Sequence, residues 1–412
     1  MKRFALFAFA ALMLIGGAPA ARAQGPVFSA TGPDAEYYGA AAGFLPGTVL
    51  TAAEPQHLVA TYSHFDELVP ARSLARAAVP WPFKRVAEPA IVYQFRGQRL
   101  PIADYLARHP ATGLLIAKDD TILYEHYQYG RTDRDRLLSQ SMAKTITAML
   151  VGIALDEKKI NSIDDAASSY VPALANTEYG GTTLRTLLQM SSGVAFSETY
   201  NNADDIAQLS RDLVEGKDPA TSVARFNTRV APAGARFHYA SSETEVLGLV
   251  LRAATGVPLA DYLREKIWQP IGAEADASWA IDGTGQELAF CCFNAVLRDY
   301  ARLGRLLAYD GAWEGRQLIP RQWVLDATTL RAEGPLAPGT ATPYFGYGYQ
   351  TWLFPGEPRR FALLGIRGQT IMVDPATKLV MVHTAVRKQP SEEGSYAEPI
   401  ALWFGVLAQF GK

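Results

Sequence analysis

Strand patterns stand at both ends of the periodic part of this chain and helical patterns fill its middle, and that order limits the possible folds most. Residues 113–118 and 121–127, on either side of Asp119-Asp120, predict a β-hairpin. Residues 348–353, 360–364, 369–373 and 379–386 read as an antiparallel meander. Between them the spacing predicts helices over 141–156, 183–190, 244–254, 259–268, 296–309 and 321–328. A short helix at 102–107 precedes the hairpin, and one at 400–410 closes the chain. Such an order implies an α+β fold: one antiparallel sheet built from N- and C-terminal segments of the domain, with a helical subdomain inserted. A site would then lie where the inserted helices meet the sheet edge. No internal repeat is evident.

The rest of the chain divides around that region. Met1-Lys2-Arg3, an uncharged apolar run over 4–15 and Ala21-Arg22-Ala23 predict a secretory signal peptide over 1–23. The apolar run is shorter than the ~20 residues of a spanning helix. No later stretch is long enough either, so no stable membrane span is expected after signal removal, and the protein is expected to be periplasmic or secreted. Residues 24–100 form an N-terminal extension whose first part is rich in Ala, Pro and Gly, expected to wrap the main domain, 101–412. With 39 Lys+Arg against 41 Asp+Glu, the net charge is −2, and no basic run is visible. Nucleic acid is therefore not an expected partner. Cys291 and Cys292 are adjacent, which disfavours a disulfide on geometric grounds and suggests two small buried residues. Neither they nor the six histidines form a metal-ligand spacing, so no metal is expected.

Ser141-Met-Ala-Lys144 opens the first long apolar helix, directly after the hairpin. Positions i and i+3 share a helix face, so the hydroxyl and the amine can meet. The helix N-terminus and burial both disfavour an ammonium there, and a lysine that is partly neutral can take the proton from a serine attacking a carbonyl. A pattern of this kind is expected about once by chance in a chain of this size, so a surface Ser and Lys remains the plain alternative. The usual serine-hydrolase alternative has no support, because there is no G-x-S-x-G. His126 and His383 alternate within strand patterns and read as structural.

Four segments in order carry a resemblance: Ser141-Met-Ala-Lys144, Leu187-Leu-Gln-Met-Ser-Ser-Gly193, Pro232 to Tyr239-Ala-Ser241, and Gly365-Ile-Arg-Gly-Gln369 followed by Val373-Asp-Pro375. From about Pro101 onward the chain resembles the β-lactamase-fold serine hydrolases, and most closely the group of 6-aminohexanoate-dimer hydrolases and related esterases. The resemblance implies a β-lactamase/transpeptidase-like fold with Ser141 as acylated nucleophile and Lys144 as its activating partner. Tyr239 would be general base or acid through a proton shared with Lys144, a cation its phenol needs to reach phenolate character. The amides of Ser141 and Ile366 would form the oxyanion hole, and Gly365 would end the strand that lines the site. Tyr200, Ser241 and Asn294 resemble substrate-facing residues of the group. Tyr200 would aid a leaving amine, and Ser241 stands where Asn is common and would support Lys144.

One departure matters for substrate. Where penicillin-recognising relatives have a lysine in K-T-G, this chain has Leu363, which cannot hold a substrate carboxylate. Arg367 lies near in sequence and could replace it. The expected activity is amide or ester cleavage of small molecules through an acyl-enzyme, with no cofactor. The alternatives are a D,D-peptidase or β-lactamase, and a non-catalytic penicillin-binding-like module. Loops over 201–218, 332–343 and 387–398 are expected to shape the pocket.

Overall fold

A computed structural model describes residues 25–392 and 394–412. The segment expected to be a signal peptide lies outside the described residues. In chain order the principal elements are β1 (Val27–Phe28), β2 (Lys84–Arg85), α1 (Ile102–Arg108), β3 (Ala111–Lys118), β4 (Thr121–Tyr127) and α2 (Met142–Asp156). They continue with α3 (Asp205–Val214), α4 (Ser241–Thr255), α5 (Leu297–Ala308), β5 (Gly346–Tyr347), β6 (Trp352–Leu353), β7 (Phe361–Gly365), β8 (Gln369–Asp374), β9 (Leu379–Ala385) and α6 (Ala397–Phe410). The nine strands form one sheet in the order β1-β4-β3-β9-β8-β7-β6-β5, with β2 also on β4. From β4 to β5 every pairing is antiparallel, and β9 from the end of the chain lies beside β3 from the hairpin. The sheet is mixed because β1 and β2, from the extension, pair with β4 in parallel.

Both faces of this sheet are buried. Leu115, Ala117, Leu363, Ile371, Val373, Val380 and Val382 face one core, which includes α2 and α5. Their neighbours Leu114, Ile116, Leu364, Met372, Leu379 and Met381 face a second core with Tyr105 of α1 and Trp403 of α6. Alternation with period two puts successive side chains on opposite faces, and each fully buried Leu, Ile, Val or Met among them stabilises the fold by ~1.5–3 kcal/mol. The α2 helix lies within the first core and is buried from Met142 to Ala154. Gly152 lets it approach a neighbouring helix, since a Cβ there would stand 2.3 Å from the Trp323 indole. Among the described residues no single helix is long and apolar enough to cross a membrane.

Several elements differ from the sequence reading. Residues 201–218 are not one loop: Asp204 caps α3 through a side-chain bond to the Ala207 amide. Residues Val92–Phe95 and Gln98–Pro101 form a hairpin against α6, with Arg96 and Gly97 both at positive φ. A second sheet, in the order Ala71–Leu74, Ala277–Ala280, Phe293–Ala295, Leu137–Leu138, comprises strands too short for periodicity to reveal. Cys291 and Cys292 are joined by a disulfide. Both are buried as expected, but the expectation of two separate thiols is corrected.

Candidate active site

The short strand Leu137–Leu138 delivers the chain to the start of α2. Gln140 sits at φ 46°, a left-handed conformation that costs a non-glycine residue ~1–2 kcal/mol. Its side chain donates to the Tyr62 hydroxyl at 3.0 Å. Ser141 follows as the residue preceding the first helical turn. Lys144 is 1% exposed, and its Nζ lies 2.9 Å from Ser141 Oγ. The same Nζ donates to the Phe290 carbonyl at 3.1 Å. It lies 4.9 Å from the Tyr239 ring centroid and 5.6 Å from that of Phe290. Burial pulls the Lys144 pKa down to about 8, against a smaller upward pull from the Glu198 carboxylate. A lysine in that range is neutral often enough at ordinary pH to accept a proton.

Tyr239 stands just before α4, its ring stacked on Trp352 at 5.5 Å. Lys144 meets the face of this ring, and among the described residues no hydrogen bond of good geometry joins the Tyr239 hydroxyl to Lys144. Between the two groups stands the Ser141 hydroxyl, 2.9 Å from Lys144 Nζ and beside the Tyr239 phenol. Burial first, and then the Glu198 charge, push the Tyr239 pKa well above its ordinary value, with the Ser141 hydroxyl opposing. The group is thus held as a neutral phenol, able to donate a proton, and phenolate character is not favoured.

Glu198 organises this side of the cleft, and no motif announces it. Its Oε1 accepts from Ser241 Oγ at 2.8 Å and from Tyr200 OH at 2.7 Å, and its Oε2 accepts from the Ser241 amide at 2.8 Å. Ser241 therefore supports Glu198 and not Lys144. Tyr200, at φ 59°, lines the cleft, but its hydroxyl proton is committed to Glu198 and not directed at a leaving group. Asn294 is wholly buried and does not line the cleft. Its Nδ2 donates to the Cys292 carbonyl at 3.1 Å.

The opposite wall is the end of β7. Gly365 is extended, and its backbone runs so close to the turn before Ser141 that a Cβ would lie 2.6 Å from the Ser139 carbonyl oxygen. The Ile366 amide follows directly. Among the described residues neither that N–H nor the Ser141 N–H has an acceptor. Leu363 faces the first core, while Leu364, on the other face, lines the cleft. Arg367 is no substitute cation, since its guanidinium donates to the carbonyls of Arg387 and Lys388. Arg387 does line the cleft, as does Tyr396, whose hydroxyl donates to the Gly365 carbonyl at 3.1 Å. The resulting cavity of about 310 Å³ contains Ser141, Tyr239, Glu198 and Ile366 in its lining.

Comparisons with known proteins bear on the family and the fold. A protein-family model described as Beta-lactamase matches residues 102–402. Over 358 residues, 84% of this chain and 90% of the relative, the sequence is 28% identical to the 6-aminohexanoate-dimer hydrolase of Paenarthrobacter ureafaciens. A solved structure from Bacillus anthracis, provisionally assigned as a 6-aminohexanoate-dimer hydrolase, superposes with a TM-score of 0.79 at 25% identity, covering 89% of this chain and 99% of that one. A penicillin-binding protein homologue from Caulobacter crescentus shares the fold, with a TM-score of 0.58 at 16% identity over 73% of this chain and 93% of its own. The fold expected from the order of the four motifs is the fold of these proteins.

Proposed function

The chain belongs to the beta-lactamase family, and from that premise we propose that it is an exported serine hydrolase cleaving small amides or esters through an acyl-enzyme on Ser141. The observation that carries this reading is the pair of Ser141 Oγ and Lys144 Nζ, 2.9 Å apart, with the lysine pKa brought down to about 8 by burial. Neutral Lys144 takes the Ser141 proton as Oγ attacks the carbonyl carbon. The free amides of Ser141 and Ile366 hold the oxyanion, each such donor contributing ~3 kcal/mol to the transition state. Collapse breaks the bond to the amine or alcohol, which leaves with a proton from the Tyr239 phenol, and the proton on Lys144 then reaches the phenoxide through a water that enters as the leaving group departs. Water then attacks the ester, giving one proton to Lys144 for return to Ser141. No step calls for a cofactor.

Replacing Ser141 with Ala tests the reading. Turnover of p-nitrophenyl esters and linear ω-amino amides is expected to fall at least ~10³-fold, together with labelling by a fluorophosphonate probe. Retention of either would defeat the assignment. Arg387 in the cleft favours a second reading, a D,D-peptidase or β-lactamase that holds its substrate carboxylate there in place of the missing K-T-G lysine. Turnover of nitrocefin, lost in Arg387→Gln, would support it.

A further inference from the structure

A second cavity, of about 650 Å³, adjoins the catalytic one. Tyr200, Ile366, Gln389 and Pro390 line both, so the two meet beside the proposed oxyanion donor. Its outer wall comes from the N-terminal extension, through Leu58, Tyr62 and Phe65. These residues precede the segment that matches the family model. The remaining wall mixes neutral polar and apolar residues with an excess of cations. Arg211, Arg367 and Lys388 line it against a single carboxylate, Asp204. Asp204 is occupied by the amides of Thr199, Tyr200 and Ala207 at 2.6, 2.6 and 3.1 Å. Lys388 is paired with Asp34 at 2.8 Å. Among the described residues Arg211 and Arg367 have no carboxylate partner; Arg211 is exposed and bonds only the Asn202 carbonyl and Gln208 Oε1, at 3.2 and 3.1 Å.

The direction of a bound substrate follows from the proton donor. Tyr239 lines the first cavity and not the second, so a leaving group that takes its proton lies on the Tyr239 and Trp352 side. The acyl chain must then run the other way, past Ile366 and Tyr200. We propose that the second cavity is an acyl-chain subsite for linear substrates whose acyl part ends in an anionic group, a carboxylate above all, recognised by Arg211 with Arg367 adding positive potential. The apolar extension residues would cover the methylene chain, and a guanidinium is the side chain best matched to a terminal carboxylate. This inference rests on the catalytic reading above and gives the extension a part in specificity.

The test compares p-nitrophenyl monoesters of succinic, adipic and sebacic acids with p-nitrophenyl butyrate, hexanoate and decanoate. For at least one length, kcat/KM for the anionic ester is expected to exceed that of its neutral partner by about tenfold, mainly through KM. Salt should reduce this preference. Arg211→Gln should bring the ratio back to about one, and Arg211→Lys should keep part of it. Because each ratio is taken within one variant, a general loss of folded enzyme cancels, and thermal melting checks the fold separately. Equal or lower kcat/KM for the anionic esters at every length, or a preference unchanged in Arg211→Gln, would overturn the subsite while leaving the catalytic reading intact. No turnover of any ester and no fluorophosphonate labelling would overturn both.

Discussion

An ammonium on Lys144 would have two aromatic faces, one carbonyl and one hydroxyl for company, in place of water. That environment ties the reaction to pH. Below about 8 the lysine is mostly protonated and cannot accept the Ser141 proton. Acylation, read as kcat/KM for a p-nitrophenyl ester, should rise about tenfold per pH unit up to that point and then level off. A limb centred near the histidine range would point to another base. The same shift acts on stability, with a definite sign. Above the ordinary lysine pKa of 10.5 both states are neutral and burial costs nothing extra. Between 10.5 and about 8 the unfolded chain binds the proton first, so stability falls as pH falls through this window. Below about 8 the whole penalty is present, on the order of 3 kcal/mol for a group this buried. Lys144→Met should therefore lose ~10²–10⁴ in acylation rate and yet melt higher than wild type at neutral pH. A melting temperature below wild type would show that its two hydrogen bonds outweigh its desolvation.

At the scale of elements, activity depends on how closely β7 passes the turn before α2. Gly365 permits that approach through its missing side chain, not through an unusual conformation, since its φ is −135°. A Cβ 2.6 Å from the Ser139 carbonyl must push the two segments apart. Gly365→Ala should then draw the Ile366 amide away from the Ser141 amide, lowering kcat by ~10²–10³ as for the loss of one oxyanion donor. KM and the unfolding midpoint should change far less, and steady-state kinetics beside a denaturant titration separate these effects. This distinction also explains what the sequence could disclose. Ser141 and Lys144 are legible because a helix brings i and i+3 together by local geometry. The β7–β8 turn is legible from its glycines and the flanking apolar alternation. Glu198 is not legible, because its importance lies in meeting Ser241 across a loop of no regular period. Tyr396 reaches Gly365 from the far end of the chain and is hidden for the same reason. The α3 helix did leave a signal, with Asp204 as a cap and apolar Ile206, Leu209 and Leu213 at helical spacing. The hairpin over 92–101 likewise shows alternation around Arg96-Gly97, where Gly97 suits a tight turn with both central residues at positive φ.

Across the whole molecule, the N-terminal extension is built into the fold and does not merely lie over it. Its β1 and β2 strands cover part of the edge of β4, which would otherwise present unpaired backbone groups. Its Ala71–Leu74 strand is the edge of the second sheet. Between these points Trp81 is held from both sides. Its amide donates to the Gly272 carbonyl at 2.8 Å, and its own carbonyl accepts from Arg302 Nη2 at 2.6 Å. Arg302 is on α5, the helix packed against β8 and β9, and is 1% exposed. It also donates to Asp299 and Glu274 at 2.7 and 2.9 Å, and its guanidinium lies over the Phe83 ring at 5.2 Å. One buried side chain thus links the extension, the segment at Glu274 that leads into the second sheet, and the helix under the main sheet. Replacing both charges of such a set with apolar groups can be neutral, but removing one partner strands the other in the interior. Arg302→Met leaves Asp299 buried with only the amides of Glu274 and Ala275 to satisfy it. The cost should be ~3–5 kcal/mol, read as a lower denaturant midpoint. If the extension and the domain form one cooperative unit, unfolding of this variant stays a single transition. Should the extension instead be an independent appendage, a separate early transition will appear, with proteolysis confined to residues before 101 and ester hydrolysis preserved after the cut.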